Sequence, residues 1–139
     1  MFTTIFSIDD DPTTQFLNRY ILESVHFCEH IIEANNGEDA LSYYEELEKG
    51  IIPIENLPEI ILLDLNMPVM DGWEFFELFK TRFPKFFEKT KVFVISSTIN
   101  PDDNAKVKNE KNIEAIISKP LDTEKLHFIK SAIENKLSK

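Results

Sequence analysis

The stretch that most constrains this chain is Ile60-Ile61-Leu62-Leu63-Asp64-Leu65-Asn66-Met67-Pro68-Val69-Met70-Asp71-Gly72. Four apolar residues run without a break into a carboxylate. Such a run reads as a strand buried on both faces, as in a parallel sheet. Asp64 then falls where the strand leaves the core, and open α/β sheets bind ligands at the carboxyl ends of their strands. Pro68 and Gly72 mark a turn before a helical pattern begins. Taken alone, Asp64 reads better as a strand-ending or capping residue. Matching chemistry at three other strand ends overturns that reading.

Composition narrows the class. The 139 residues suffice for one domain with a real core, and 42% of them are hydrophobic. A net charge of -10 argues against nucleic acid or an anionic membrane as partner, because both need a basic face. The single cysteine, Cys28, forms no internal disulfide and suits a reducing compartment. The start MFTTIFSIDDD lacks a basic, apolar signal pattern, and no stretch approaches membrane-spanning length. The expectation is a soluble, cytoplasmic single domain over residues 1–139, with no second domain.

Five strand-then-helix repeats follow in order. Thr3 to Ile8 is a strand ending in Asp9-Asp10-Asp11. Asp11 then caps a helix opened by Pro12, in which Phe16, Leu17, Tyr20 and Ile21 recur at helical spacing. Phe27 to Glu33 is a second strand; its helix carries Ala40, Leu41, Tyr44 and Leu47, and Gly50 closes it. A long, proline-broken connection over 51–58 leads to the central strand. Asp71 and Glu74 form a capping box for a third helix, with Trp73, Phe76, Phe79 and Phe83 as its buried stripe. The Phe-rich run through Phe86 and Phe87 reads mostly as core. Lys91 to Ile95 is a fourth strand ending in Ser96. The helix after Asn100-Pro101 offers only Ala105 and Val107 as apolar surface, so it should be the most weakly docked element. Ile113 to Ile117 is a fifth strand, followed by Ser118-Lys119-Pro120. A last helix begins near Asp122, with Leu126, Ile129, Ile133 and Leu137 on its inner face.

Strict alternation with short connections implies an α/β fold: a five-stranded parallel sheet with helices on both faces. The flavodoxin-like order 2-1-3-4-5 is the leading topology. It brings Asp9, Asp10, Asp64, Ser96 and Lys119 to one sheet edge. Three clustered carboxylates resist ionising together unless a divalent cation sits among them. Oxygen ligands without His or Cys favour a hard ion such as Mg2+. A carboxylate, a metal, an ammonium and a hydroxyl around one point are the parts that move a phosphoryl group. Asp64, on the central strand, is the best nucleophile.

These motifs, IDDDP at 8–12, LDLNMPVMDG at 63–72, a hydroxyl after VFVI and SKP at 118–120, resemble the receiver domain of two-component response regulators (CheY-like), over essentially the whole chain. The resemblance implies that Asp64 is the phosphoacceptor, Asp10 a direct Mg2+ ligand and Asp9 its acidic neighbour. It implies that Asn66 gives a backbone carbonyl to the metal, that Ser96 is the switch hydroxyl, and that Lys119 precedes a cis proline. It also implies a sensor histidine kinase or histidine phosphotransfer protein as donor, a target protein that reads the receiver, and no enzyme activity beyond self-phosphorylation from small donors and autodephosphorylation.

The sequence departs from that pattern at Ile116, where many receivers carry a Tyr or Phe that swings on activation. Any switch here works through Ser96 and the backbone. Asp11 reads as a cap, Ser97 and Thr98 as loop, and His26, His30 and His127 as surface. Asp102 to Lys111 reads as a solvated face, overlapping the surface that receivers usually change on phosphorylation. A phosphorylation-independent interaction module is the alternative. An aspartyl-phosphate phosphatase is disfavoured because Asn66 stands where such enzymes carry a general acid.

Overall fold

A computed structural model describes residues 2–137, with side chains to 134. Strands β1 (Phe2–Ile8), β2 (Cys28–Ala34), β3 (Ile60–Leu63), β4 (Lys91–Ser96) and β5 (Ile113–Ser118) form one sheet in the order β2-β1-β3-β4-β5. Every neighbouring pair is parallel. The expected strand limits hold to within one residue. Among the described residues there are six helices: α1 (Pro12–Ser24), α2 (Gly37–Glu48), α3 (Gly72–Arg82), α4 (Pro84–Glu88), α5 (Pro101–Lys108) and α6 (Thr123–Leu137).

The two-residue period of the strands divides the core into two layers. Phe6, Ile8, Ile61, Leu63, Val92 and Val94 face α2, α3 and α4, where Tyr44, Phe75, Phe76, Phe79 and Phe87 are buried. Ile5, Ile60, Leu62, Phe93 and Ile95 face α1 and α6, where Leu22, Leu126, Ile129 and Ile133 are buried. Ile60 to Leu63 thus serve both layers in turn, as a continuous apolar run requires. The expected inner position of Leu137 lies outside the described side chains.

Three expectations need correction. First, the pattern is not a bare strand–helix alternation. Pro84 restarts the chain as α4, which drives Phe87 into the aromatic layer, and the 51–58 connection holds a single 3-10 turn at Ile54–Asn56. Second, Trp73 is only half-buried, and Phe75 takes its place in the inner stripe of α3.

Third, α1 turns outward most of the apolar face its spacing suggested, and of those four residues Ile21 alone packs inward, half-buried on the core. Phe16 and Tyr20 are 57% and 64% exposed, and Leu17 is exposed too. The inward residues are Gln15, Asn18 and Leu22. Gln15 Nε2 donates to the carbonyls of Ser7, Asp9 and Ala34 at 3.1, 3.0 and 2.9 Å. Ser7 Oγ donates to Gln15 Oε1 at 2.7 Å and accepts from Asn18 Nδ2 at 3.3 Å. The ends of β1 and β2 leave buried carbonyls that need donors, and that demand outranks apolar periodicity.

Candidate functional site

Asp9 closes β1, Asp64 follows β3 and Lys119 follows β5, so all three stand at the carboxyl edge of the sheet. The backbone fixes each in turn. Asp9 N–H donates to Ala34 O, Asp64 N–H to Ile8 O and Lys119 N–H to Ser96 O. Lys125 Nζ donates to the carbonyls of Ser118 and Pro120, both at 2.8 Å, and so fastens the turn that carries Lys119. The Lys119–Pro120 bond is cis, as expected.

Carboxylate oxygens of Asp9, Asp10 and Asp64 lie within 4.8 Å of one another. Asp9 and Asp64 are buried, while Asp10 is exposed. Lys119 Nζ sits 2.8 Å from Asp9 Oδ2 and 3.6 Å from Asp64 Oδ1. Asp9 Oδ1 accepts the N–H of Asp11 at 2.9 Å, and Asp64 Oδ1 accepts the N–H of Asn66 at 3.2 Å. Asp11 itself caps α1, accepting from Thr13 N–H and Thr14 Oγ1.

The electrostatics follow from this packing. Burial first, and then the charge of Asp9, push the Asp64 carboxyl up to about 6, against the opposing pull of the Asn66 N–H and Lys119. Burial opposes the Lys119 ammonium, but Asp9 and then Asp64 outweigh it and hold the group above the usual lysine range. The pocket therefore carries more negative charge than its one ammonium balances. An all-oxygen donor set under that imbalance fits a hard divalent cation.

Residues 5–129 match the family model described as the response regulator receiver domain. The chain belongs to that family.

A two-component response regulator from Cytophaga hutchinsonii is 30% identical to this receiver, with a TM-score of 0.84 over 99% of this chain and 98% of that one. NarL, the nitrate/nitrite response regulator protein of Escherichia coli K12, is 33% identical over 94 residues, 68% of this chain and 38% of its own. BvgA of Bordetella pertussis is 34% identical over 74 residues, 53% of this chain and 31% of its own. The chain thus spans about a third of the length of these two curated relatives.

The other candidate residues lie around the same edge. Ser96 is fully buried, and its hydroxyl donates to Thr98 O at 2.7 Å while accepting from Thr98 N–H at 3.2 Å. Ile116 is half-buried against the α2/α3 layer. Exposed Asn66 opens the loop from β3 to α3. In that loop Val69 has φ 68 and is 83% exposed, inside a three-residue turn closed by Met70 N–H to Pro68 O at 2.8 Å. A β-branched residue in the left-handed region is strained. Gly72 follows for a steric reason: a Cβ there would lie 2.5 Å from the Asp64 carbonyl oxygen and 2.8 Å from Leu65 Cα. The start of α3 is therefore packed directly on the backbone of the candidate acceptor.

Sequence reasoning missed Gln15, which holds the Asp9 carbonyl, and Trp73, whose Nε1 donates to Asp103 Oδ1 at 3.0 Å. Gln15 carried a usable signal, since its spacing from Asn18 and Leu22 marks one helical face. Trp73 carried none, because its partner lies 30 positions away.

Proposed function

We propose that this receiver accepts one phosphoryl group on Asp64 from a phosphohistidine, carried by a sensor histidine kinase or phosphotransfer protein in the cytoplasm. Changes in its own surface then signal to a target protein. The observation that carries the reading is the convergence of Asp9, Asp10 and Asp64 within 4.8 Å beside the Lys119 ammonium.

An Asp64 carboxylate oxygen attacks phosphorus, the P–N bond breaks, and the donor imidazole leaves with the electron pair. Asp10, the Asp64 carboxylate and the Asn66 carbonyl would hold Mg2+, with Asp9 behind them. Bound there, the cation neutralises charge on the phosphoryl oxygens. Lys119, already 3.6 Å from Asp64, keeps an ammonium beside the acceptor throughout. Ser96 would leave its bond to Thr98 and donate to the added phosphoryl group, so it serves as the switch without an aromatic partner at Ile116.

Acetyl phosphate with Mg2+ tests this directly. A single, alkali-labile phosphorylation is expected by intact mass, and Asp64→Asn should abolish it. No addition to the wild type, or equal addition to both proteins, would overturn the reading and favour a phosphorylation-independent module.

A further inference from the structure

Helix α5 has no buried residue and meets the core through half-buried Val107, so apolar packing does little to set its position. The Trp73 indole N–H donates to Asp103 Oδ1 at 3.0 Å, and Lys106 Nζ lies 5.1 Å from the centroid of the same ring. One indole thus engages an acid and a base from adjoining turns of α5. Between the helices lies a cleft of about 240 Å³ lined by Trp73, Glu77, Lys106, Asn109 and Glu110. A second tie, Lys80 Nζ to Glu110 Oε2 at 3.2 Å, lies beyond the end of α5.

We propose that the Trp73–Asp103–Lys106 contact is a latch that holds α5 in its unphosphorylated position and that phosphorylation works against it. The proposal rests on the reading of Asp64 as acceptor. One side of the latch is fixed. Asp71 caps α3, Gly72 packs on the Asp64 carbonyl, and Phe75 and Phe76 are fully buried behind Trp73. The other side is delivered by residues 97–100, which join α5 to Ser96. The Ser96 hydroxyl holds both the carbonyl and the N–H of Thr98. When that hydroxyl turns to a phosphoryl group, the connection loses its anchor at the sheet and α5 is free to move. The latch then remains beside the Lys80–Glu110 pair and the Val107 contact, so its strength contributes to how far the unphosphorylated receiver samples the activated position. A ligand that prefers the activated position must bind more tightly once the latch is cut, by the factor through which that position gains population.

Beryllofluoride with Mg2+ is the probe. Asp103→Ala removes the acceptor, and Trp73→Phe removes the donor while leaving a ring beneath Lys106. Asp102→Ala takes an equal charge from the same helical turn without touching the indole, and serves as the control. Loss of one half-exposed hydrogen bond should tighten beryllofluoride binding roughly fivefold in Asp103→Ala and Trp73→Phe. Amide exchange of residues 101–108 should speed by a similar factor in the ligand-free protein. Asp102→Ala should match the wild type in binding. Trp73 is the single tryptophan of the chain, and its emission should change as beryllofluoride saturates the wild type. A wild type that binds the probe, with both latch variants within twofold of it, would overturn the latch and leave the acceptor reading standing. A wild type that does not bind the probe would overturn both. A latch with a merely structural role would alter exchange but not affinity, which also counts against the proposal.

Discussion

Helix α3 follows β3 and helix α5 follows the neighbouring β4, yet they are held by opposite means. Helix α3 buries Phe75, Phe76 and Phe79 and rests its first residue on the Asp64 backbone. Helix α5 buries nothing, and its half-buried Val107 is the member that packs on the core. Apolar burial is strong and has no direction, so it fixes an element in one place. A few polar ties are weak and replaceable, so they permit a second place. The fold thus sets Asp64 against its rigid layer and keeps the lightly packed helix a single loop away.

That contrast is measurable, beginning with the largest effect. Phe79→Ala empties a fully buried aromatic site whose ring centre lies 4.4 Å from that of Tyr44, and should cost about 4 kcal/mol in chemical denaturation. Gly72→Ala forces a Cβ into the Asp64 carbonyl, and should cost about 3 kcal/mol while weakening Mg2+ binding in calorimetry.

Asp64→Asn should act in the opposite sense and stabilise the protein by about 2 kcal/mol at neutral pH without metal, because it removes one of the crowded charges. The sign follows from proton binding. The folded acid, held up to about 6, keeps a proton that the unfolded chain has released above its ordinary value of 3.8. Stability contributed by Asp64 therefore falls as pH rises through that window. Melting curves between those pH values should slope downward for the wild type and flatten for Asp64→Asn. Saturating Mg2+ should restore the wild type, by about 2.7 kcal/mol at a hundredfold excess over Kd.

Val107→Ala should have the smallest effect, below about 1 kcal/mol. A loss at Val107 as large as that at Phe79 would erase the distinction between the two helices.

Much of this was legible in the sequence alone. The run Ile60–Leu63 announced a strand with two buried faces, and its sheet neighbours followed from right-handed alternation. The edge chemistry was legible because four of the five strands end in or run into a residue unlike those before it: Asp9, Asp64, Ser96 and Lys119. Capping was legible because it is local, as Asp11, Asp71 and Asn100 show. The face of α1 was not. Apolar spacing cannot report that Ser7, Asp9 and Ala34 present carbonyls needing Gln15. Helix α4 was hidden because the aromatic run around it has no clean period. The Trp73–Asp103 bond was hidden because it depends on where two helices meet.

The strained turn at Val69 has an evolutionary consequence. Glycine would occupy that left-handed position at less cost, and asparagine at 64 would quiet the crowded acids. A library of this receiver sorted for heat resistance alone should collect changes at both positions, which lie on the loop from β3 to α3. Selection for toughness would then erode signalling first, and only a screen that also demands phosphorylation would keep residue 64 acidic.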